Sequence, residues 1–454
     1  MNAAALGERL RALAVEHDVP GASLAVLHDE RVTAAAHGLL NVETGVEATT
    51  DSLFQIGSVT KPYTATVAMR LVEQGRLSLD RPLRELLPEL RLADERVAAT
   101  VTLRHLLTHT SGIAGDFFPD TGSGDDALER YAEQCADLGQ DLPIGVTMSY
   151  SNSGYVLVGR AIERATGLSW DAAMRELLFE PLGLRRTVTL AEEALRFRVA
   201  WGHETGGESG PRLVPSWGPP RALGPAGLIC ATAADVIAFA RLQLDSGVAA
   251  SGERLLSDAT AAEMVRPQVT VPEPWSTGDH WGLGWWLHDW DGARLFAHDG
   301  SLPGQLAYLK AVPQAGVAIA LLTNGGDGDA LARALNRELL RELCGIAMPS
   351  PPAAAASHAS DPAVLGTYAR HGVRLDVVEA DEQLRATTRL VEPLASQFPD
   401  QRPSDALLTP SDAGAEVYLS RDVDGGGDGF PLVFFSIDDD RYVHSSARAL
   451  RKER

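Results

Sequence analysis

The order of strand-like and helix-like segments limits the fold of this chain more than any other feature of its sequence. Alternating apolar runs predict strands near both ends of the first 345 or so residues, at 21–27, 32–38, 282–290, 294–298, 305–311 and 317–323. Helical periodicity fills most of the remainder, at 3–17, over most of 79–223, at 233–244 and at 330–344. This order predicts an α+β fold, an antiparallel sheet flanked by helices and completed by both ends of the domain, with a mainly helical subdomain inserted.

A second, smaller domain is predicted after a Pro/Ala/Ser tract that has no periodicity. A chain of 454 residues is longer than one ordinary domain. We interpret residues 348–361 as a linker between a first domain at 1–347 and a second at 362–454. Short alternating runs in the second domain lie at 365–370, 374–378, 383–388, 416–420, 432–436 and 442–446. Glycine, aspartate and proline separate these runs, which is typical of a small all-β barrel or curled sheet.

Charge and cysteine content exclude several classes of function. The formal net charge of −21 argues against a nucleic-acid partner and against anionic membrane surfaces. The three cysteines are widely spaced, so neither a metal site nor a disulfide framework is predicted, and no cofactor motif is found. No signal peptide and no apolar run of about 18–20 residues is evident, so we expect a cytoplasmic protein.

One lysine stands out because lysine is so rare in this chain. The three lysines are Lys61, Lys310 and Lys452, and only Lys61 has a serine, Ser58, three residues before it. Arginine cannot lose its proton in a protein, whereas a lysine with a lowered pKa can act as a base. Residues three apart share a helix face, so Lys61 is predicted to reach the Ser58 hydroxyl. On this spacing alone, a capping serine followed by a solvated lysine explains the pair equally well.

Two later segments carry side chains of the kind that assist a nucleophilic serine. Tyr150 and Asn152 are two residues apart in a predicted turn before a helix, so their phenol and amide can project in one direction. His298 and Gly300 are predicted at the end of a central strand, where the glycine permits close backbone approach by a ligand. Taken singly, a turn with Asn152 as cap and an ordinary core or surface histidine are the simpler interpretations.

Taken together and in this order, these segments resemble the penicillin-binding-protein and class C β-lactamase superfamily of active-site serine enzymes. The Ser-x-x-Lys motif at 58–61 is joined by the Tyr-Ser-Asn triplet at 150–152 and by His-Asp-Gly at 298–300. Leu-Leu-Thr-His-Thr-Ser-Gly at 106–112 and Pro-Ala-Gly-Leu at 225–228 are further matches. The resemblance covers about residues 5 to 345.

The resemblance implies a role for each matching residue. Ser58 would be the nucleophile, and Lys61 with Tyr150 the linked base system that takes and returns its proton. A neighbouring lysine is expected to lower the pKa of the Tyr150 phenol. Asn152 would orient Lys61 and the substrate amide. The backbone N–H groups of Ser58 and Ser301 would form the oxyanion hole.

The third motif departs from the commoner Lys-Thr-Gly of the family. His298 stands in the lysine position, so the site would lack a fixed positive charge there and efficient β-lactam hydrolysis is not expected. We count His298 among the candidate catalytic residues, and Gly227 and Gly300 as substrate-binding residues. A metal ion is not implied.

The resemblance fixes the chemistry better than the substrate. The small β domain is similar to the lipocalin-like domain of penicillin-binding-protein-type thioesterases, which release peptides from a carrier protein and close them head to tail. The best prediction is therefore a peptide cyclase acting on a nonribosomal peptidyl thioester with a C-terminal D-residue. The alternatives are a D-aminopeptidase-, D,D-peptidase- or esterase-like hydrolase acting on a small peptide or ester and, less favoured, a catalytically silent binding protein.

Other conspicuous residues are given ordinary structural interpretations. His109 is predicted to be a buried or supporting histidine. Residues 116–122 are predicted as a surface loop, with the border of a substrate cleft as the alternative. A packed sheet face or the lining of a cleft is predicted for Trp285, Trp286 and Trp290. A solvated strand end is predicted for Arg441, Arg448 and Arg451, with substrate binding by the second domain as the alternative.

Overall fold

A computed structural model describes residues 2–204, 210–355, 361–380, 383–423 and 430–454. Its strands, in chain order, are β1 Gly21–His28, β2 Arg31–Asn41, β3 Val46–Glu47, β4 Phe54–Gln55, β5 Thr187–Val188, β6 His203–Glu204, β7 Arg212–Leu213, β8 Cys230–Ala231, β9 Val269–Thr270, β10 His280–Trp281, β11 Trp286–Trp290, β12 Ala293–Leu302, β13 Gln305–Val312, β14 Val317–Thr323, β15 Gly366–Arg370, β16 Val373–Ala380, β17 Gln383–Leu390, β18 Ser404–Ser411, β19 Gly414–Asp422, β20 Phe430–Ile437, β21 Asp440–Ser445 and β22 Arg448–Lys452.

The helices vary widely in length. In chain order they are α1 Ala3–Glu16, α2 Thr60–Glu73, α3 Glu95–Thr100, α4 Leu103–Leu107, α5 Ala127–Gln134, α6 Asn152–Thr166, α7 Trp170–Met174, α8 Glu180–Leu182, α9 Ala191–Ala194, α10 Gly224–Gly227, α11 Ala233–Leu244, α12 Asp258–Met264, α13 Pro274–Thr277, α14 Gly328–Cys344 and α15 Leu394–Gln397. Short 3-10 turns precede α2 at Gly57–Val59 and α10 at Arg221–Leu223.

Nine strands form the large sheet of the first domain. Their order is β3-β2-β1-β14-β13-β12-β11-β10-β9, and the pairings are antiparallel. Strands β1 and β14 come from opposite ends of the domain and pair at the centre of the sheet. The helices α2 to α10 lie in the chain between β4 and β9, as the predicted insertion requires. The predicted α+β fold is therefore confirmed.

The central strands are apolar on both faces because helices cover both. Leu24 and Val26 of β1 pack with α1 and α14, whereas Ala25 and Leu27 pack in the larger core that contains α2 and α11. Successive side chains of a strand point to opposite faces, so a strand buried on both sides is a continuous apolar run. This explains the run at residues 21–27.

Two predicted strand boundaries in this sheet are wrong. The predicted strand at 282–290 is instead the turn and second strand of a hairpin, in which β11 pairs with β10 and the Gly282 amide donates to the Trp285 carbonyl over 2.8 Å. The predicted strand at 294–298 continues as β12 to Leu302. His298 and Gly300 consequently lie inside a paired strand, where β13 flanks them, and not at its end.

The second domain is a closed antiparallel barrel. Eight strands, β15 to β22, follow one another around it, and β22 closes it against β15. Two of them, β18 and β22, were missed in the sequence, and the predicted all-β barrel is otherwise confirmed. Burial alternates along β16, as one covered and one solvated face require. The core includes Tyr368 and Phe434.

The predicted linker at 348–361 is partly associated with the barrel. Ala353 donates its amide to Asp412 Oδ1 over 3.0 Å, and the Ala355 amide donates to the Pro410 carbonyl over 2.9 Å. Residues 356–360 lie outside the described residues. The domain boundaries at 347 and 362 stay predictions.

Candidate active site

Ser58 and Lys61 lie where the chain enters the first long helix of the insertion. Ser58 is in the 3-10 turn at Gly57–Val59, and α2 begins two residues later, so Ser58 precedes the α-helix instead of capping it. Pro62 is the third residue of α2, within the first turn, where its missing N–H has no helical partner to lose. Lys61 Nζ is 3.1 Å from Ser58 Oγ, which confirms that the lysine reaches the serine.

Lys61 is fully buried and held by three oxygen atoms. Besides Ser58 Oγ, its Nζ donates to Asn152 Oδ1 over 2.8 Å and to the Ala226 carbonyl over 2.7 Å. Burial lowers the pKa of Lys61 well below its ordinary value, the positive charge of Arg448 lowers it further, and Asp116 opposes the shift. A neutral amine has two N–H groups and one lone pair. In this form, which burial favours, the two carbonyl oxygens accept the two N–H groups and the lone pair is available to the Ser58 hydroxyl.

Tyr150 and Asn152 are placed by the start of α6. Ser151 caps this helix, its Oγ accepting the Gly154 amide, so Asn152 is the first helical residue and not the cap. Lys61 Nζ lies 4.7 Å from the centre of the Tyr150 ring. The Tyr150 hydroxyl is buried and makes no hydrogen bond of ordinary geometry with the described residues.

The expectation of a lowered Tyr150 pKa is wrong. Burial raises the pKa of this phenol, and the nearby Ser58 hydroxyl and Arg448 only partly offset the effect. Tyr150 is therefore a neutral hydroxyl in the resting protein. A neutral phenol beside a neutral amine can still relay a proton, because it accepts at oxygen while it donates its own hydrogen.

Gly57 and Gly300 allow β12 to approach the serine turn closely. A Cβ atom on Gly300 would lie 2.0 Å from the Ile56 carbonyl oxygen and 2.9 Å from the Ser58 amide nitrogen. A Cβ on Gly57, whose φ is +51°, would lie 2.7 Å from the Ser301 amide nitrogen. Larger residues at either position would separate the two segments. The backbone amides of Ser58 and Ser301 thus come together beside the Ser58 hydroxyl.

His298 is buried beneath these groups. Its Nδ1 is 2.6 Å from the Asp299 carbonyl oxygen, and its ring packs against Trp281, Trp286 and Tyr150. Burial and the neighbouring Lys61 lower the pKa of His298 well below its ordinary value. A neutral imidazole provides no fixed positive charge at this position, as the departure from Lys-Thr-Gly predicted. A catalytic role for His298 stays a prediction.

One cavity of about 1020 Å³ joins most of the predicted site residues. Those in its wall are Ser58, Tyr150, Asn152, Gly227, Gly300 and Ser301. Lys61 and His298 lie behind this wall and are fully buried. Gly227 ends α10 and faces the serine turn, since a Cβ on it would be 3.8 Å from the Gly57 carbonyl carbon. The lining is mostly apolar, with Trp286, Phe118 and Phe398 among its residues.

Asp116 and Arg448 complete the site, and the structural interpretation preferred for each in the sequence is wrong. Residues 116–122 were predicted as a surface loop, but Asp116 is only 5% exposed and accepts a hydrogen bond from Asn152 Nδ2 over 3.0 Å. Arg448 was predicted at a solvated strand end, but it lines the cavity and donates to Asp116 Oδ1 over 2.9 Å. These residues are 332 positions apart, so no local pattern connects them.

The remaining candidates are placed as follows. His109 is buried, and its Nδ1 accepts the Ser151 amide over 2.9 Å, so it supports the Tyr-Ser-Asn turn. Trp285 packs in the core, whereas Trp286 faces the cavity. Arg441 and Arg451 pair with Glu416 and Asp440, respectively, on the barrel surface.

No group of three or more His, Cys, Asp or Glu side chains suited to a metal ion occurs within the described ranges. The helices in this same part of the chain include none that is long and apolar enough to cross a membrane.

Comparison with known proteins identifies the family. The beta-lactamase family model matches residues 6–342, which include the serine turn, the α6 start and the β12 motif. The chain belongs to the beta-lactamase family. Penicillin-binding protein 4 of Amycolatopsis lactamdurans is 51% identical over 374 residues, 80% of this chain and 97% of that protein.

Solved structures extend the similarity to the barrel. SurE, whose crystal structure has also been determined with D-Leu, is 28% identical, with a TM-score of 0.81 over 99% of this chain and 98% of that one. D-amino acid amidase from Ochrobactrum anthropi SV3, solved with L-phenylalanine amide, is 26% identical, with a TM-score of 0.61 over 74% of this chain and 97% of that one. This chain and SurE are therefore similar over both the first domain and the barrel.

Proposed function

We propose that this protein is a serine acyltransferase that releases a peptide from a carrier-bound thioester and closes it head to tail. The observation that carries the chemistry is the position of Lys61. Its amine is buried, two of its three oxygen neighbours are carbonyl oxygens, and the third is the Ser58 hydroxyl. A nucleophilic serine with a neutral amine at hydrogen-bond distance is the arrangement that acyl-enzyme formation needs.

In the acylation step, Ser58 Oγ attacks the thioester carbonyl carbon. Its proton passes to Lys61 Nζ as the Oγ–C bond forms, and the C–S bond then breaks. The departing thiolate takes a proton from Tyr150, which recovers one from Lys61. In this proposal the Ser58 and Ser301 amides donate to the negative oxygen that develops, and two such donors are worth a large part of the rate acceleration. The product is an ester on Ser58.

In the second step an amine replaces the thiol. The free amino group of the same peptide attacks the Ser58 ester, its proton passes to the Lys61–Tyr150 pair, and the Ser58 oxygen regains a proton as it leaves. The peptide bond that forms closes the ring. The nucleophile must be the neutral amine, and the mostly apolar cavity wall favours that form over the ammonium ion.

Three observations support a D-configured acyl donor and the cyclase reaction. SurE was crystallised with D-Leu, and a further structural relative is a D-amino acid amidase. The cavity of about 1020 Å³ is large enough for several peptide residues. A small C-terminal β domain is also present in the peptide-cyclising thioesterases that the sequence resembles, and the closed barrel agrees with that resemblance.

A second candidate function is peptide hydrolysis by the same acyl-enzyme. The similarity to D-amino acid amidase from Ochrobactrum anthropi SV3 favours it, because an amidase transfers its acyl group to water. In this case water takes the place of the peptide amine. The first step, and the residues that perform it, would be the same.

The experiment that tests the proposal uses a linear peptide whose C-terminal D-residue is a thioester of a small thiol. The protein is incubated with this peptide, with its C-terminal L-epimer and with the N-acetylated D-peptide, and the products are resolved by mass spectrometry. We expect a cyclic product from the free D-peptide alone. Its mass should be about 18 units below that of the linear acid, because the ring contains one water fewer than the acid. Linear acid as the only product across several D-peptides would overturn the cyclase proposal in favour of hydrolysis.

A further inference from the structure

The tip of one barrel hairpin is built into the active-site wall. Strands β21 and β22 are joined by Ser446 and Ala447, which have positive φ angles of 48° and 65°. The Ala447 carbonyl accepts the Tyr150 amide over 2.9 Å, and the Ala449 amide donates to Ser149 Oγ over 3.1 Å. Positive φ at both central residues is the geometry of a type I′ turn, which suits a two-residue hairpin. The tip therefore meets the Tyr-Ser-Asn turn through backbone atoms of Ala447 and Ala449.

Two arginines of the barrel hold one carboxylate of the first domain. Arg448 donates from Nη2 to Asp116 Oδ1 over 2.9 Å, and its Nε lies 2.7 Å from Asp116 Oδ2. Arg370 Nη1 lies 2.9 Å from the same Oδ2. The side chains of Asp116 and Arg370 are 7% and 11% exposed, so the pair is shielded from solvent. Burial alone would raise the Asp116 pKa, but the two guanidinium groups lower it to about 2.

An ionised Asp116 fixes which way the Asn152 amide faces. A carboxylate accepts hydrogen bonds and has none to donate, so Asn152 must turn its NH₂ group towards Asp116. Its Oδ1 then faces Lys61 Nζ, 2.8 Å away. The opposite orientation would present N–H groups to the Lys61 N–H groups. The chain of contacts therefore runs from the barrel arginines through Asp116 and Asn152 to the amine.

We propose that Arg370 and Arg448 of the barrel act through Asp116 as positioning residues for the Lys61 base. They keep Asp116 ionised, Asp116 keeps the Asn152 carbonyl on Lys61, and the lone pair of Lys61 stays directed at Ser58. The barrel is thereby a necessary part of the acyl-transfer site, in addition to any contact it makes with substrate. The proposal deepens the proposed function and rests on it.

The same contacts determine the proton affinity of Lys61. The charged and titratable groups around its amine are Asp116, Arg448, Tyr150, Tyr155, His109 and His298. Both histidines and both tyrosines are buried, and burial favours the neutral form of each. Asp116 and Arg448 are thus the permanent charges of this set, and Arg370 adds a more distant positive charge through its contact with Asp116. Removing the negative charge disfavours the Lys61 ammonium ion, and removing a positive charge favours it.

The experiment measures the pH profile of Ser58 acylation by a chromogenic aryl ester, with intact-mass detection of the adduct. Asp116→Asn should lower kcat/KM and move the acid limb of the profile to lower pH by about half to one unit. Arg370→Met should move that limb in the opposite direction by a few tenths of a unit or more. Arg370→Lys keeps the charge and should restore the wild-type limb. Arg370 does not line the cavity, so substrate contact does not confuse the result.

Two matched controls use exposed charges close in sequence. Asp120→Asn changes a carboxylate of the same loop, and Arg374→Met removes an arginine from the next strand of the barrel. Neither should move the limb. Unshifted limbs in both Asp116→Asn and Arg370→Met, or shifts in the same direction, would overturn the positioning proposal. Failure of the proposed function is a separate outcome, in which the wild-type protein forms no Ser58 adduct at any pH.

Discussion

Lys61 and Asp116 lie on either side of Asn152, and their surroundings have opposite effects on charge. The surroundings of Lys61 favour the neutral amine, whereas those of Asp116 favour the charged carboxylate. Lys61 is surrounded by aromatic rings, neutral carbonyl oxygens and a distant arginine, so burial makes its charged form unfavourable. Asp116 is equally buried, but two guanidinium groups reach it from the barrel and keep it charged. Burial alone does not decide the charge of a group. The nearest permanent charges decide it, and here the second domain supplies them.

The largest expected effect comes from removing the neutral amine. Lys61→Met keeps the length of the side chain and leaves Ser58 without a base. Acylation of Ser58 should slow by about 10²–10⁴-fold, the usual contribution of a positioned general base. The rate of adduct formation by stopped-flow or timed mass spectrometry measures this, with Lys452→Met, at a surface site of the barrel, as the control. A loss below tenfold would show that Lys61 is not the base.

Removing the hydrogen bonds by which Asn152 connects Lys61 with Asp116 should have the next largest effect. Asn152→Leu removes the hydrogen bond to Lys61 and the hydrogen bond to Asp116 together. Hydrogen bonds to charged groups contribute about 1.5–3 kcal/mol, so acylation should slow by roughly ten- to hundredfold. The double variant with Lys61→Met is the informative control. If Asn152 acts through Lys61, its substitution should have little further effect once the amine is absent.

The lowered pKa values of the two residues should have opposite effects on stability at pH 7, although stability rises with pH through both titration windows. The Lys61 pKa is lowered in the folded protein, so between that value and about 10.5 the unfolded chain binds a proton that the folded one does not, and stability falls as pH falls. Lys61→Met should therefore raise the melting temperature at pH 7. The Asp116 pKa is lowered from 3.8 to about 2, so its stabilisation is present above pH 3.8 and is lost as pH falls through about 2.

Melting curves of the wild-type protein, Lys61→Met and Asp116→Asn over a range of pH values check both signs. Asp116→Asn should melt lower than wild type at pH 7, because two buried arginines lose their counter-ion. The difference should shrink as pH falls below 3.8. Equal shifts of the same sign for both variants would contradict the contrast between the two regions.

The smallest expected effect concerns the hairpin tip that carries Arg448. Ser446 is exposed and has a positive φ of 48°, so Ser446→Gly should relieve strain and stabilise the protein by up to about 1 kcal/mol. Ser445→Gly is the matched control. Ser445 ends strand β21, where glycine should destabilise the protein by a similar amount. Denaturant midpoints measure both, and destabilisation by Ser446→Gly would show that the side chain itself anchors the tip.

Part of this site could be predicted because its geometry is local. Ser58 and Lys61 share one helix face at a spacing of three, and Tyr150 and Asn152 belong to one short turn before a helix, so the backbone alone brings each pair together. The burial of the lysine, its third oxygen partner at Ala226 and the raised pKa of Tyr150 could not be predicted in this way. They depend on tertiary packing.

The contacts at Asp116 could not be predicted because they join distant parts of the chain. Asp116 lies in a segment rich in glycine, proline and aspartate, a composition that is usual for a surface loop, and Arg448 stands at the start of a short strand. Nothing in either sequence neighbourhood indicates the other. The strand β18 was missed for a related reason, since its Pro410 and polar residues weaken the alternating pattern of a barrel strand. Its neighbours in the barrel define it.

The central claim is that Ser58 carries the acyl group, and peptide mapping tests this most directly. The protein is mixed with the D-residue peptidyl thioester, quenched in acid within the first turnover, digested and examined by mass spectrometry, with Ser58→Ala treated in parallel. We predict one peptidyl group per chain, located on the peptide that contains residue 58 and missing from Ser58→Ala. Turnover of the thioester with no adduct at residue 58, or equal turnover by Ser58→Ala, would contradict the account.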